Sequence, residues 1–515
     1  MDLIQIMRGF PIRLKLGIMT VLCSLICSGV MFVGTDQIVH ASDNLLGNGV
    51  VISYTRMIWW TLIFIGLFIF VNRLMIRRQF VVYSIPEAKV VMIILLCAAA
   101  FFRLLIAPSM VGFASDVYSF MSWSQDVSTN GMAHFYGRPD FLADYPPGYM
   151  FVLYILGKIT HTLGMVYKSD TSLILYKMPA MLADLITTYI IYYIAKKKLP
   201  ITAAIGLAAL YAFNPAIILN SAAWGQVDSF FTMFVLIAVI ILVNGKVPLA
   251  TSLFAVAVLL KPQALMFGPL LLFVFIRIRK DYKTILISMV SGLLVLLIVP
   301  LPFTIHQHNG PLYLIDLYTS TLGSYNYASL NAYNVITLVG GNWQPITDKI
   351  LFLSYTNWSY VLIFASLIYS GVLYFKSKAD DTKLYWIAFF FMTAVFMITV
   401  KMHERYLFYA LVFALMSFIH FKDRRILYLF FGLSLTHFFN TDEILGYSLT
   451  SNFKLNRYGM ILIYTSLANT FMFIYMIKVG WDVLVKGKIT TLGGIPLNPP
   501  KKRRAGNAIN PRKRA

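Results

Sequence analysis

Residues 248–276 read PLATSLFAVAVLLKPQALMFGPLLLFVFI, an apolar run interrupted once, at Lys261-Pro262. A helix needs about 20 mostly apolar residues to cross a bilayer, and a lysine within such a run is costly unless it meets an anion or reaches the interface. The proline adds a break, because it has no N–H to donate and its ring clashes with the preceding turn. The stretch therefore predicts two short helices that turn at Lys261-Pro262. Neither half spans a full bilayer, which places the turn in a thinned or cavity-lined region.

The same apolarity runs through the whole chain. Of 515 residues, 59% are hydrophobic and only 12% charged, where a soluble protein carries about 25% charged residues. Soluble, fibrous and disordered classes are excluded. Further candidate spans lie at 16–34, 57–74, 89–108, 174–195, 201–219, 227–244, 284–302, 359–375, 384–400, 405–420, 426–440 and 458–478. The expected fold class is an all-α polytopic membrane protein of about 12–14 transmembrane helices. The first segment follows Arg8, Arg13 and Lys15 and precedes a small-residue site near Ala41. It reads as a retained helix, with a cleaved signal peptide as the alternative. Only three cysteines occur, Cys23, Cys27 and Cys97, all in apolar runs, so there is no disulfide framework.

Lys plus Arg number 43 against 21 Asp plus Glu, a net charge of +22. In a membrane protein this excess speaks to orientation and to anionic lipid. The clusters are Arg77-Arg78, Lys196 to Lys198, Arg277 to Lys283, Lys376 to Lys383, Lys422 to Arg425 and the tail from Lys486. Placing all of them in the cytoplasm sets the parity of the crossings. Only one crossing then fits between 109 and 196, so 174–195 is taken as the span and 148–166 as an interfacial or re-entrant helix. Five stretches share the outer face: 109–173, 220–228, the Lys261 turn, 303–358 and 401–405. No internal repeat is visible. The expected organisation is N-terminal helices at 1–88, a core at 89–302, an external loop with C-terminal helices at 303–480, and a basic cytoplasmic tail at 481–515.

The outer stretches hold the polar residues that apolar surroundings do not explain. In the first loop, Val117, Phe120, Met121 and Trp123 fall at helical spacing, predicting an amphipathic interfacial helix. Asp116 stands at its start, as a cap or as a working carboxylate. Asp144 precedes Tyr145-Pro146-Pro147, as a turn residue or a second functional acid. Gln226 and Asp228 open a long apolar helix and must be hydrated, paired or bound to a ligand. Lys261 and Gln263 flank the proline of the broken run. His403, Glu404 and Arg405 pack a proton donor, a carboxylate and a guanidinium into one short turn, with a solvated local ion pair as the plainer reading. Arg103, near the outer end of its helix, either snorkels or holds phosphate. Together these residues describe a general base facing an anion-binding wall, and Arg and Lys suit phosphate because their donors are many. There is no Gly-rich phosphate loop, no His-Glu-x-x-His metal cluster and no Gly-x-Ser-x-Gly elbow.

Taken in order, these motifs resemble the GT-C glycosyltransferases. Asp116 with Trp123, then Asp144-Tyr145-Pro146-Pro147, looks like their first external loop, with the interfacial helices that fold carries. The likeness is nearest to the dolichyl-phosphate-glucose-dependent glucosyltransferases of lipid-linked oligosaccharide assembly. It continues through Leu182-Ala183-Asp184-Leu185, similar to that family's Ile-Ala-Asp-Leu helix. Trp224 to Ser229 falls where the family has His-Phe-Gln-Tyr-Asn-Ser, Lys261-Pro262-Gln263 on its Lys-Gln, and His403-Glu404-Arg405 on its His-Glu-Lys. Gln226-Val227-Asp228 is more like bacterial membrane proteins related to glycosylphosphatidylinositol mannosyltransferases, and Arg405 replaces a Lys. The resemblance covers roughly 100–410.

The resemblance implies a hexosyltransferase, glucosyl or mannosyl, acting on the non-cytoplasmic face of a bacterial cell membrane. It implies a polyprenyl-phosphate sugar as donor, a cell-envelope or lipid-linked glycan as acceptor, and no metal or other cofactor. Asp116 matches the catalytic base and Asp144 an orienting acid. Lys261, His403 and Arg405 match contacts to the lipid phosphate. Tyr145, Gln226, Asp228, Gln263, Glu404 and Arg103 fill out the substrate-binding set. One base suffices, because a phosphate leaves already stabilised and needs no acid, unlike the alcohol a glycosidase expels. A transporter or flippase of a lipid-linked saccharide is the alternative, though it should place charges near the midplane and show repeats. A ligase that moves whole oligosaccharides would leave a lipid diphosphate. The tail from Lys486 carries nine basic and no acidic residues, which predicts a disordered segment resting on anionic lipid rather than on nucleic acid. In 303–358, His306, His308, Asp316 and Trp343 fit acceptor binding or a lid equally.

Overall fold

The structure is a computed structural model that describes residues 54–77, 85–136, 143–307, 310–448, 455 and 459–492. The first expected helix, His308 and the tail past 492 lie outside the described residues. Helices α1 (Thr55–Arg77) and α2 (Ile85–Ile106) match the expected spans at 57–74 and 89–108. The segment between α2 and residue 170 holds α3 (Ala114–Asn130) and α4 (Pro147–Thr162). These two pack tightly together: a Cβ on Gly157 would lie 2.4 Å from the Ser124 carbonyl. Helix α5 (Asp170–Lys198) follows. The expected span at 201–219 is bent by 45° between α6 (Ile201–Ala212) and α7 (Pro215–Ile218), which continues as a π-turn, Leu219–Trp224. The bend falls where Pro215 enters the helix and Asn214 caps it through Ala216 N, at 3.0 Å.

Helices α8 (Asp228–Val243), α9 (Val247–Leu260) and α10 (Gly268–Arg277, entered by a 3-10 turn at Pro262–Phe267) are short, and the broken run does turn at Lys261-Pro262. Next come α11 (Tyr282–Ile298), α12 (Tyr313–Gly323), α13 (Tyr355–Lys376), α14 (Lys383–Ile398), α15 (Phe408–Phe421), α16 (Arg424–Ser448) and α17 (Met460–Gly480). Among the described residues, strand is confined to four dipeptides. β1 (Ser329–Leu330) pairs in parallel with β4 (Met402–His403), and β2 (Lys349–Ile350) pairs with β3 (Leu353–Ser354).

Among the described residues, six helices are long and apolar enough to cross a membrane, or seven with the bent pair. The chain is therefore an all-α, multi-pass membrane protein. Shorter apolar helices line the middle of the bundle. At ~1.5 Å per residue, α8, α9, α14 and α15 are about 21–24 Å long, against a hydrocarbon core of roughly 30 Å. Yet α14 and α15 are buried along nearly their whole length. Their turns at one end carry 224–228, 261–263 and 399–407. At the other end Arg277 pairs with Asp381, and Asp380 feels His420 and Lys198.

The loop 303–358 is not a simple lid. Between 327 and 345 the chain dives into the bundle, where Asn331, Tyr333, Asn334 and Asn342 are buried. Asn440 bonds Tyr333 N at 3.0 Å and the Asn331 carbonyl at 2.7 Å, while Asn469 bonds the Tyr333 carbonyl at 2.7 Å. Polar backbone is tolerated there because these buried side-chain amides supply partners for it.

Arg103 neither snorkels nor faces a ligand. It is 1% exposed, donates from Nε to Asp184 Oδ2 at 3.0 Å and from Nη1 to the Ala212 carbonyl at 2.9 Å. Ser221 completes the acceptor oxygen at 2.5 Å. This correction has a simple cause: a buried guanidinium takes the nearest carboxylate. Arg103→Met should destabilise the protein by about 3–5 kcal/mol, because it strands Asp184, and adding Asp184→Leu should recover most of that loss. Thermal unfolding in detergent micelles reads both.

Candidate active site

The site starts from a helix that does not cap itself. The N-cap of α3 is Phe113, with no side-chain cap, and Asp116 sits a turn inside. Its carboxylate is held from far along the chain instead. Oδ2 accepts from Trp224 Nε1 at 3.2 Å and from Gln226 Nε2. Among the described residues Oδ1 has no protein donor.

The two donors are presented by the π-turn. Such insertions occur mostly at functional positions. Here the Asn220 carbonyl accepts from both Gly225 N, at 3.1 Å, and Gln226 N, at 3.0 Å. Gly112 makes the approach of the two segments feasible: it sits at φ +89°, and a Cβ on it would lie 2.2 Å from the Trp224 carbonyl. Lys177 ties them together from below. Its ammonium donates to the carbonyls of Ala107 (2.9 Å), Met110 (2.6 Å) and Ala223 (2.8 Å), using all three of its donors. It went unmarked in the sequence, although a lysine inside an apolar helix carries the same signal as Lys261.

Asp228 does not cap its helix either. Oδ1 meets Lys261 Nζ and, at 3.2 Å, Tyr409 Oη, and Oδ2 accepts from Asn220 Nδ2 at 3.0 Å. Asp228 is 0% and Lys261 3% exposed. These two are therefore a neutralised, buried floor, and neither stands in an anion-binding wall. Gln263 donates to Tyr406 Oη at 2.8 Å, and its own carbonyl oxygen and that of Gln226 are buried without protein donors.

The His403-Glu404-Arg405 turn is brought alongside by β4. Arg405 Nη1 donates to Glu404 Oε1 at 2.7 Å, and its Cζ lies 5.7 Å from the Trp224 ring centroid. Its Nε is buried with no protein acceptor among the described residues. This is no solvated loop, because Lys401 N and the strand pairing tie it to 327–330. Burial, with Arg405 and Lys261 nearby, lowers the His403 pKa well below the usual range, although its Nδ1 lies 3.9 Å from Glu404 Oε2. Tyr145 lies 5.7 Å beneath Lys261 Nζ, and its ring sits among Phe120, Trp123 and Tyr149.

Asp144 closes the ring of charges. The residue is exposed, and its pKa is raised, first by burial and then by Asp116, with its own backbone N–H, Lys261 and Arg405 opposing. Asp144 and the turns at 224–228, 261–263 and 399–407 bound one recess around Asp116. Thus ten of the sequence-chosen residues come together and Arg103 does not.

No family model matches the sequence, and no curated protein matches it.

His403 offers a direct check. With its folded pKa below the unfolded value of about 6.5, the unfolded chain binds the extra proton, so stability rises with pH through that region and is lost as pH falls. Between pH ~7 and ~5, melting temperatures should fall less for His403→Gln than for wild type.

Proposed function

We propose that the protein is an integral-membrane glycosyltransferase that moves a hexose from a polyprenyl-phosphate donor to a glycan acceptor on the non-cytoplasmic face. The short helices are taken as crossings of a locally thinned core, which brings the total to 11 or 12 spans among the described residues, in a GT-C-like arrangement. One observation carries the reading. Asp116 has one oxygen oriented by two neutral N–H donors and the other without a protein donor among the described residues, beside a guanidinium, in a recess ringed by turns of helices shorter than the bilayer. With their basic ends at the cytoplasmic surface, these helices place the recess below the outer interface by about 6–9 Å. Local thinning of the bilayer around such short spans lets the headgroup layer dip to that depth, so a lipid phosphate can reach the site.

On this reading Asp116 takes the acceptor hydroxyl proton as the acceptor oxygen bonds to the anomeric carbon. The bond from that carbon to the phosphate oxygen breaks, and the electron pair leaves with polyprenyl phosphate. Attack opposite the leaving group inverts the anomeric centre. Arg405 turns its unoccupied Nε toward the phosphate, where charge develops in a dry setting. His403, being neutral, contributes an N–H and no charge. Asp144 lies close enough to Asp116 to hold an acceptor or donor hydroxyl.

Asp116→Asn keeps the shape and both neutral donors' reach while removing the base. It should reduce turnover by at least ~10²-fold and leave donor binding nearly intact. Release of polyprenyl phosphate from labelled donor in nanodiscs measures this, and an unchanged rate removes the assignment. Proteoliposomes separate the transport alternative: a transporter moves the label across with the sugar–phosphate bond unbroken.

A further inference from the structure

Tyr325 stands apart from every other aromatic residue around the recess. Phe120, Trp123, Tyr149 and Tyr409 are buried in the core, whereas Tyr325 is 55% exposed. Its backbone sits at φ +57°, a region that bulky side chains rarely adopt. Strain of this kind persists only where surroundings enforce it, and it clusters at functional sites. Here the surroundings are visible. Upstream, Ser324 N ends α12 on the Ser320 carbonyl at 3.0 Å; downstream, Tyr327 accepts from Lys401 N at 3.2 Å, where the chain enters the buried segment.

The enforced conformation aims the ring at the chemistry. Its centroid is 5.3 Å from that of His403, edge-on at 86°. One turn back, Thr321 Oγ1 donates to the Asp144 carbonyl at 3.3 Å, so the end of α12 is fastened to the loop bearing that acid. The phenol's pKa is raised, first by its own burial and next by Asp144, with Arg405 opposing and Asp116 and Glu404 adding. The ring edge against His403 and the tie of α12 to the Asp144 loop set this side chain at the margin of the charged ring, while much of it remains open.

We propose that Tyr325 is an acceptor-binding residue, an aromatic platform that holds a pyranoside over Asp116 and Asp144. The inference rests on the transferase reading and adds the acceptor's chemistry to it. A pyranose has one face of polarised C–H groups, which suits the negative face of an aromatic ring. Its rim of hydroxyls suits two carboxylates, one of which must accept a proton. The phosphate, by contrast, belongs to Arg405 on the other side of Asp116.

The test uses the full chain in nanodiscs with polyprenyl-phosphate mannose and glucose as donors, and methyl α-D-mannopyranoside and methyl α-D-glucopyranoside as minimal acceptors. Tyr325→Gly removes the platform and fits the backbone, since glycine takes positive φ without strain. The acceptor KM should rise by at least ~10-fold while the donor KM stays within about 2-fold. The melting temperature should hold or rise. An unchanged acceptor KM overturns the proposal, and so does a drop in melting temperature accompanied by a shift in donor KM. If wild type transfers nothing to either acceptor, the transferase reading fails by itself. Saturation-transfer NMR with the same glycosides then decides: a signal in wild type that Tyr325→Gly loses retains the pyranoside site, and no signal in wild type overturns it.

Discussion

An ammonium group can sit at Lys261 only because Asp228 meets it there. Both are buried, between helices too short to lift them into water, and neither could remain charged alone. The pair therefore dictates geometry. It joins the start of α8 to the break between α9 and α10, and Tyr409 brings in α15. Asn220 adds the π-turn. Four separated pieces of chain must arrive together or the pair is not satisfied. Once they do, Gln226 and Trp224 are aimed at Asp116, and Arg405 lies over Trp224. The ion pair is thus the base on which the recess is assembled, and it is more important to architecture than to contact with any ligand.

Helices shorter than the bilayer create a second problem, since a bundle with a recess at one end leaves backbone and side chains uncovered. Residues 327–345 answer it. Asn331 takes φ +59°, which asparagine tolerates better than most residues. Its Oδ1 accepts from Trp343 Nε1 at 2.8 Å. Asn334 reaches the Phe396 carbonyl at the end of α14, at 2.9 Å. These bonds let an irregular polar segment fill the bundle, and β1 then positions β4 and with it the His403 turn. Arg405 is held in place by a loop from a different part of the chain.

Much of this was legible in the sequence, and the division follows from range. Element positions were readable because hydropathy is local: the spans at 57–74, 89–108 and 359–375 fall on α1, α2 and α13, and Lys261-Pro262 marks its own turn. The shared face was readable from the alternation of basic clusters. Partners were not. Nothing near Arg103 announces Asp184, and nothing near Asp116 announces Trp224, more than a hundred residues on. A cap was the plain local reading of Asp116, and long-range donors won. The environment of His403 was hidden for the same reason, since Lys261 acts on it only once the chain is folded. The asparagines of 327–345 looked like loop composition because polarity in sequence does not reveal whether partners wait inside.

The charges of the empty recess also constrain how it can work. Asp228 answers Lys261 and Glu404 answers Arg405, while Asp116 and Asp144 have no cation dedicated to them. An anionic substrate entering such a place cannot rely on surplus positive charge; it has to take over Arg405 from Glu404, at least in part. The unoccupied Nε allows that exchange without breaking the existing bond first. Asp116 is left out of the exchange, because its own donors are an indole and an amide, which orient a carboxylate without cancelling its charge. On the proposed reading this separation is what permits one residue to hold the phosphate and its neighbour to remain a base. A site in which Arg405 paired directly with Asp116 would bind the donor only by loosening the group that must accept the proton.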